Sequence, residues 1–158
     1  MAEQIHISKD LTKKEKYEAL YSQLEVLLNV ETDIVANMAN LAAALKEVFD
    51  FFWVGFYVVK NDELVLAPFQ GPVACTRIRF GKGVCGTSWE REQAIVVPDV
   101  EQFSGHIACS SLSRSEIVVP VIKDDKVVAI LDVDSNKLDA FDNEDAQYLE
   151  KIVSLLKF

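Results

Sequence analysis

Apolar residues recur at helical spacing through the first third of the chain. Tyr17, Leu20, Tyr21, Leu24, Leu27 and Leu28 share one stripe and predict a helix over residues 12–28. Thr12-Lys-Lys-Glu15 marks its start as a capping box: Thr12 accepts from the Glu15 amide and the Glu15 carboxylate reaches back. After a break at 29–32, Ile34, Met38, Leu41, Leu45 and Val48 predict a second helix over about 33–48. From Phe51 the pattern changes. Residues 52–59 are aromatic and β-branched and predict a strand, with a turn at 60–63 and a returning strand at 64–69. Gly71-Pro72 breaks the chain. A short strand at 77–80, a short helix around 84–91 and a strand at 94–97, stopped by Pro98, come next. Residues 99–113 are irregular, with one helical turn at most. A second hairpin is expected from 117–122 and 126–133 across Asp124-Asp125, and Asp142 caps a last helix over 144–156.

This order predicts an α+β fold with a six-stranded sheet, largely antiparallel because its strands are joined by hairpins. Helices from the two chain ends cover one face, and the short middle helix and the 99–113 segment roof the other. An irregular segment of that length inside a compact domain points to function. No repeat, low-complexity stretch or boundary divides the chain, so one domain over residues 1–158 is expected.

Composition narrows the class. With 158 residues and an apolar half, the chain has enough material for a core without metal or disulfide support. A net charge of −9 argues against a polyanionic partner such as nucleic acid. Lys13-Lys14-x-Lys16 reads as a solvated helix face. The polar N-terminal stretch, residues 1–10, does not resemble a secretory signal, and no apolar run approaches the roughly 18–20 residues of a membrane span. A reducing cytoplasm is the expected compartment. A homodimer stays open.

The chain holds three cysteines, Cys75, Cys85 and Cys109. An odd count excludes a fully paired disulfide framework. Cys75 and Cys109 fall in loops, where a thiol can be reached. Cys85 lies in Gly81-x-Gly83-x-x-Gly86, which matches a dinucleotide fingerprint by letter, but only seven residues separate Gly86 from the next strand, too few for a crossover helix. The stretch reads instead as a tight turn into a helix, whose N-terminus would favour a thiolate at Cys85. A Cys₃His zinc site with His106 is poorly supported, because the intervening spacings of nine, twenty and two residues contain no Cys-x₂-Cys knuckle. No metal is expected, and His106 reads as a loop residue. Asp132 and Asp134, two apart on a strand, share a face, and the hairpin brings Glu116 opposite positions 132 to 134. Either the three acids meet at one end of the sheet, with at least one pKa raised, or the two aspartates simply end the strand in solvent. Trp53 and Tyr57 share a face of the first strand with Gly55 between them, which leaves room for a pocket wall.

Seven segments together resemble one family. They are Trp53-Val-Gly-Phe-Tyr57, Leu66-Ala-Pro-Phe-Gln-Gly-Pro-Val-Ala-Cys75, Arg79-Phe-Gly-Lys-Gly-Val-Cys-Gly-Thr87, Val97-Pro-Asp-Val100, His106-Ile-Ala-Cys109, Ser115-Glu-Ile-Val-Val-Pro-Val121 and Leu131-Asp-Val-Asp-Ser135. The chain resembles a stand-alone GAF domain of the free methionine-(R)-sulfoxide reductase type, over essentially its whole length. The resemblance implies a six-stranded antiparallel sheet with helices on one side and a closed pocket on the other. It implies reduction of free L-methionine-(R)-sulfoxide, not of the oxidised residue within a protein. It assigns Cys109 as the attacking residue and Cys75 as its resolving partner, and leaves Cys85 as a further resolving, relay or attacking thiol. Glu116, Asp132 and Asp134 match acids that bind the substrate and its sulfoxide oxygen, with Glu116 or an aspartate such as Asp134 as the proton donor. Trp53 and Tyr57 match aromatics around the substrate methyl. No cofactor is implied beyond thioredoxin as external reductant. The rival reading is a non-catalytic GAF module that senses a small molecule.

Overall fold

The computed structural model describes residues 4–158. The first three positions of the polar N-terminal stretch lie outside the described residues. The two amphipathic stripes form α1 (Lys13–Asn29) and α2 (Ile34–Phe49). The capping box is present: Glu15 N–H donates to Thr12 Oγ1 at 3.2 Å, and Thr12 N–H donates to Glu15 Oε2 at 2.9 Å. There follow β1 (Trp53–Lys60), β2 (Glu63–Gln70), β3 (Arg77–Arg79), α3 (Gly83–Arg91) and β4 (Ile95–Val97). A 3-10 turn at Val100–Gln102 interrupts the long irregular segment, and β5 (Ser115–Lys123), β6 (Lys126–Ser135) and α4 (Asn143–Val153) complete the chain. The last helix stops short of the expected residue 156, yet Leu156 still packs in the core.

The sheet order is β3-β2-β1-β6-β5-β4, and every neighbouring pair is antiparallel. Both tight hairpins turn through two residues of positive φ, Asn61-Asp62 and Asp124-Asp125. That backbone matches the twist of the flanking strands and pins their register. Side chains alternate between the two faces. Val54, Phe56, Ile117, Val119, Leu131 and Val133 point into a core built with α1, α2 and α4. Trp53, Tyr57, Val118 and Ile130 point the other way, where they meet Val84 and Cys85 of α3. On the helical side, Tyr17 donates its hydroxyl to the buried Asp145 carboxylate at 2.7 Å and Lys13 Nζ lies 2.9 Å from it, so this acid is satisfied.

The room expected above Gly55 is already filled. A Cβ there would lie 2.2 Å from Phe69 Cβ and 2.7 Å from the Trp53 ring, with the Phe69 Cα at 2.9 Å. Gly55 therefore serves close approach of β2 at a register shift, not an open cavity. Gly55→Ala is expected to destabilise the fold by about 1–3 kcal/mol through overpacking, read as a lower denaturant midpoint at unchanged slope.

Candidate active site

Register assembles the site. Glu116 pairs with Asp134 across β5 and β6, while Trp53 and Gly55 of β1 pair with Asp134 and Asp132. Directly paired residues in an antiparallel ladder share a face, so three acids and two aromatics converge on the side away from the core helices. Glu116 is 5% exposed and Asp132 7%, which removes the alternative that the strand merely ends in solvent. Asp134 is half-buried and accepts a hydrogen bond from the Ser113 hydroxyl.

Burial dominates the electrostatics here, as a charge leaving water must be compensated. It pushes the Glu116 carboxyl up to about 8, reinforced by the charge of Asp134 and opposed by hydrogen bonds involving Asp132 and Cys85. Burial also raises Asp134, to about 6, against the pull of Ser113 and His106. Asp132 moves up by burial and then by the charges of Asp134 and Glu116, and its Oδ1 is buried with no hydrogen-bond partner. The cluster thus holds protons at neutral pH and contains an acceptor waiting for a donor.

Cys85 corrects the sequence expectation. It sits in the first turn of α3, but it is buried at 4% exposure, and its Sγ lies 3.9 Å from Glu116 Oε1. Burial, then the charges of Asp132 and Glu116, push its thiol well up. A helix N-terminus contributes roughly 0.3–1 kcal/mol toward a thiolate, whereas burial can shift a pKa by about 3–5 units, several kcal/mol, so burial wins. Cys85, Glu116 and Asp132 offer ligand atoms within 4.8 Å of one another.

Cys75 and Cys109 are joined by a disulfide, with Cα atoms 5.4 Å apart across a separation of 34 residues. Two sulfurs of the considered Cys₃His set are thereby bonded to each other and unavailable as thiolates. The two aromatics hold the Cys75 loop in place: Trp53 Nε1 donates to the Pro72 carbonyl at 3.0 Å, and Tyr57 donates its hydroxyl to the Cys75 carbonyl at 2.8 Å. Between the loops and the sheet lies a cavity of about 570 Å³, open mouth included. Trp53, Tyr57, Cys85, Cys109, Glu116, Asp132 and Asp134 line it, and Cys75 does not.

Sequence reasoning read His106 only as a loop residue and did not single out Ser113. His106 Nε2 lies 3.6 Å from Glu116 Oε2, and Ser113 bonds Asp134. Both belong to the irregular segment, whose path no periodicity predicts. Their only signal was that a long loop carrying Cys109 must lie over something.

A model of the GAF domain family matches residues 31–158. GAF domain-containing protein A of Dictyostelium discoideum is 60% identical over 157 residues, 99% of each chain. The free methionine-R-sulfoxide reductase of Escherichia coli is 43% identical over 148 residues, 93% of this chain and 90% of the relative. The solved structure of free methionine-R-sulfoxide reductase from Neisseria meningitidis, in complex with its substrate, superposes with a TM-score of 0.94 at 53% identity, covering 97% of this chain and 92% of that one. The fold, the register of the acids and these likenesses over nearly the full length agree: the chain belongs to the free methionine-R-sulfoxide reductase family of GAF domains.

Proposed function

We propose that this protein reduces free L-methionine-(R)-sulfoxide to methionine, with Cys109 as the attacking thiolate and Cys75 as the resolving thiol. The observation that carries the reading is a bonded Cys75–Cys109 pair beside a cavity whose sheet wall bears three acids. Cys109 faces that cavity and Cys75 does not, which suits the order of their roles. The names of the Escherichia coli and Neisseria meningitidis relatives support the substrate.

A sulfoxide oxygen leaves only when protonated. Glu116, which holds its proton up to about pH 8, donates it to that oxygen while the Cys109 thiolate forms a bond to the substrate sulfur. The hydroxyl passes to the cysteine sulfur as the substrate sulfur departs. Methionine is released and Cys109 becomes a sulfenic acid, so the substrate sulfur is reduced by two electrons and the cysteine oxidised by two. The Cys75 thiol then attacks the sulfenic sulfur; its proton and the hydroxyl leave as water, and the disulfide forms. A dithiol protein such as thioredoxin, in a reducing cytoplasm, restores both thiols by exchange. Asp132, with its orphaned oxygen, and Asp134 take the substrate ammonium. Trp53 and Tyr57 wall the methyl. Cys85 stays protonated and donates toward Glu116 Oε1, helping to orient the acid instead of attacking.

The test is mass spectrometry of cysteine linkages after pre-reduced protein meets substrate with no reductant present. One methionine per chain and a Cys75–Cys109 disulfide are expected. Cys75→Ser should also release about one methionine per chain, and then stall with Cys109 trapped by a sulfenic-acid reagent. A sensing module would bind the sulfoxide and return it unchanged.

A further inference from the structure

A free amino acid brings two opposite charges into the cavity, and the three acids answer only the ammonium. The carboxylate needs a cation or exposed amides. Of the residues lining the cavity, the basic side chains are Lys82 and His106, and His106 already faces Glu116 at 3.6 Å. Lys82 is exposed, and none of the five ion pairs among the described residues uses it. Its backbone position is firmly set. Gly81 and Gly83 on either side hold φ of +71° and +62°, and Lys82 N–H donates to the Arg79 carbonyl while its own carbonyl accepts from Gly86 N–H.

The residue is also unusual for its place. Lys82 is the N-cap of α3, a position that favours Ser, Thr, Asp or Asn, and it supplies no side-chain cap. The first amides of α3 thus receive no acceptor from their own cap residue, and Gly83, Val84 and Cys85 line the cavity. A carboxylate there would meet both the lysine ammonium and the positive end of the helix. Across the same cavity, the buried Asp132 Oδ1 has no hydrogen-bond partner and independently calls for a ligand group that donates to it. Missing acceptors at one side and a missing donor at the other describe a zwitterion.

A carboxylate site in the loop Ser110–Arg114 fits less well. Ser110 and Ser113 line the cavity, but Arg114 does not. Its N–H donates to the Ser135 carbonyl at 2.7 Å, and its carbonyl accepts from Val100 N–H.

We propose that Lys82 is the counter-ion for the carboxylate of the free amino acid and, by that pairing, selects the free sulfoxide over the oxidised residue in a chain. The assignment rests on the proposed substrate and extends it. A peptide-bound residue has neither the carboxylate nor the ammonium, so both ends of the cavity would reject it.

The test crosses enzyme and substrate variants. Wild type and Lys82→Met are assayed on free L-methionine-(R)-sulfoxide and on its carboxamide, which keeps the ammonium and sulfoxide but carries no carboxylate. In wild type, kcat/KM should be about 10–100-fold lower on the carboxamide, the usual worth of a charge-assisted hydrogen bond. Lys82→Met should lose a similar factor on the free acid, mainly in KM, and change less than about threefold on the carboxamide. Lys82→Arg should recover most of the loss. Equal losses on both substrates, or an unaffected free acid, would overturn the assignment. If wild type fails to reduce the free acid at all, the substrate itself is wrong, and that failure is separate from an additive cycle.

Discussion

Cys109→Ser should abolish turnover while leaving the folded protein and its cavity in place. A serine hydroxyl is a far weaker nucleophile toward sulfur than a thiolate, and the sulfenic intermediate has no counterpart on oxygen. The loss should reach at least about three orders of magnitude, the scale on which removing a covalent nucleophile acts. Reduction of free methionine-(R)-sulfoxide, followed with a thioredoxin recycling system, checks it, and a single-turnover experiment without reductant should yield no methionine and no new disulfide. Because Cys109 lies in an irregular loop and is half-buried, the substitution should cost little stability relative to the reduced wild type, whereas the oxidised wild type keeps the cross-link to Cys75 that the variant lacks. Substrate binding by calorimetry should persist, which separates lost chemistry from a lost site. Turnover near the wild-type rate would reject Cys109 as the attacking group and shift attention to Cys85, the other cysteine lining the cavity.

Glu116→Gln should give the second-largest effect, and two measurements should move in opposite directions. Gln keeps the shape but has no proton to give, so kcat should fall by about 10²–10⁴-fold, the range for loss of a positioned acid. Stability should rise, and only in a defined window. Burial holds the Glu116 carboxyl at about 8 against an ordinary value of 4.5. The unfolded chain therefore releases this proton at lower pH than the folded protein does. The contribution from Glu116 is fully present below about pH 4.5 and is lost as pH rises toward 8. Replacing the group by a neutral amide removes that loss. The unfolding midpoint of the variant should match wild type near pH 4.5 and exceed it at pH 8. Asp134, held at about 6, adds a smaller loss of the same sign below that point in wild type. In the enzyme, activity should decline as pH rises past about 8, as Glu116 gives up its proton to water. A flat alkaline profile together with a fully active Gln variant would remove Glu116 from the chemistry.

The sequence by itself determined the elements and much of the site. Helical and strand periods placed α1, α2, β1, β2, β5 and β6 within a few residues, because a period of 3.6 or 2 is a direct consequence of burying one face. The hairpin around Asp124-Asp125 was enough to bring Glu116 opposite positions 132 to 134, as a tight turn leaves little freedom of register, and the structure pairs it with Asp134. What only the tertiary structure decided was environment and the paths of the irregular segments. Gly55 was read as open space, but whether a glycine leaves room depends on what the neighbouring strand brings to it, here Phe69. Cys85 was read as a favoured thiolate from its place on a helix. Its surroundings come instead from β5 and β6, about thirty and fifty residues away, and burial beside their acids outweighs the helix end. His106, Ser113 and Lys82 became visible as parts of the site only once the loops were in place. A loop has no repeating pattern to betray its course, and a charge has no effect until its distance to another charge is known.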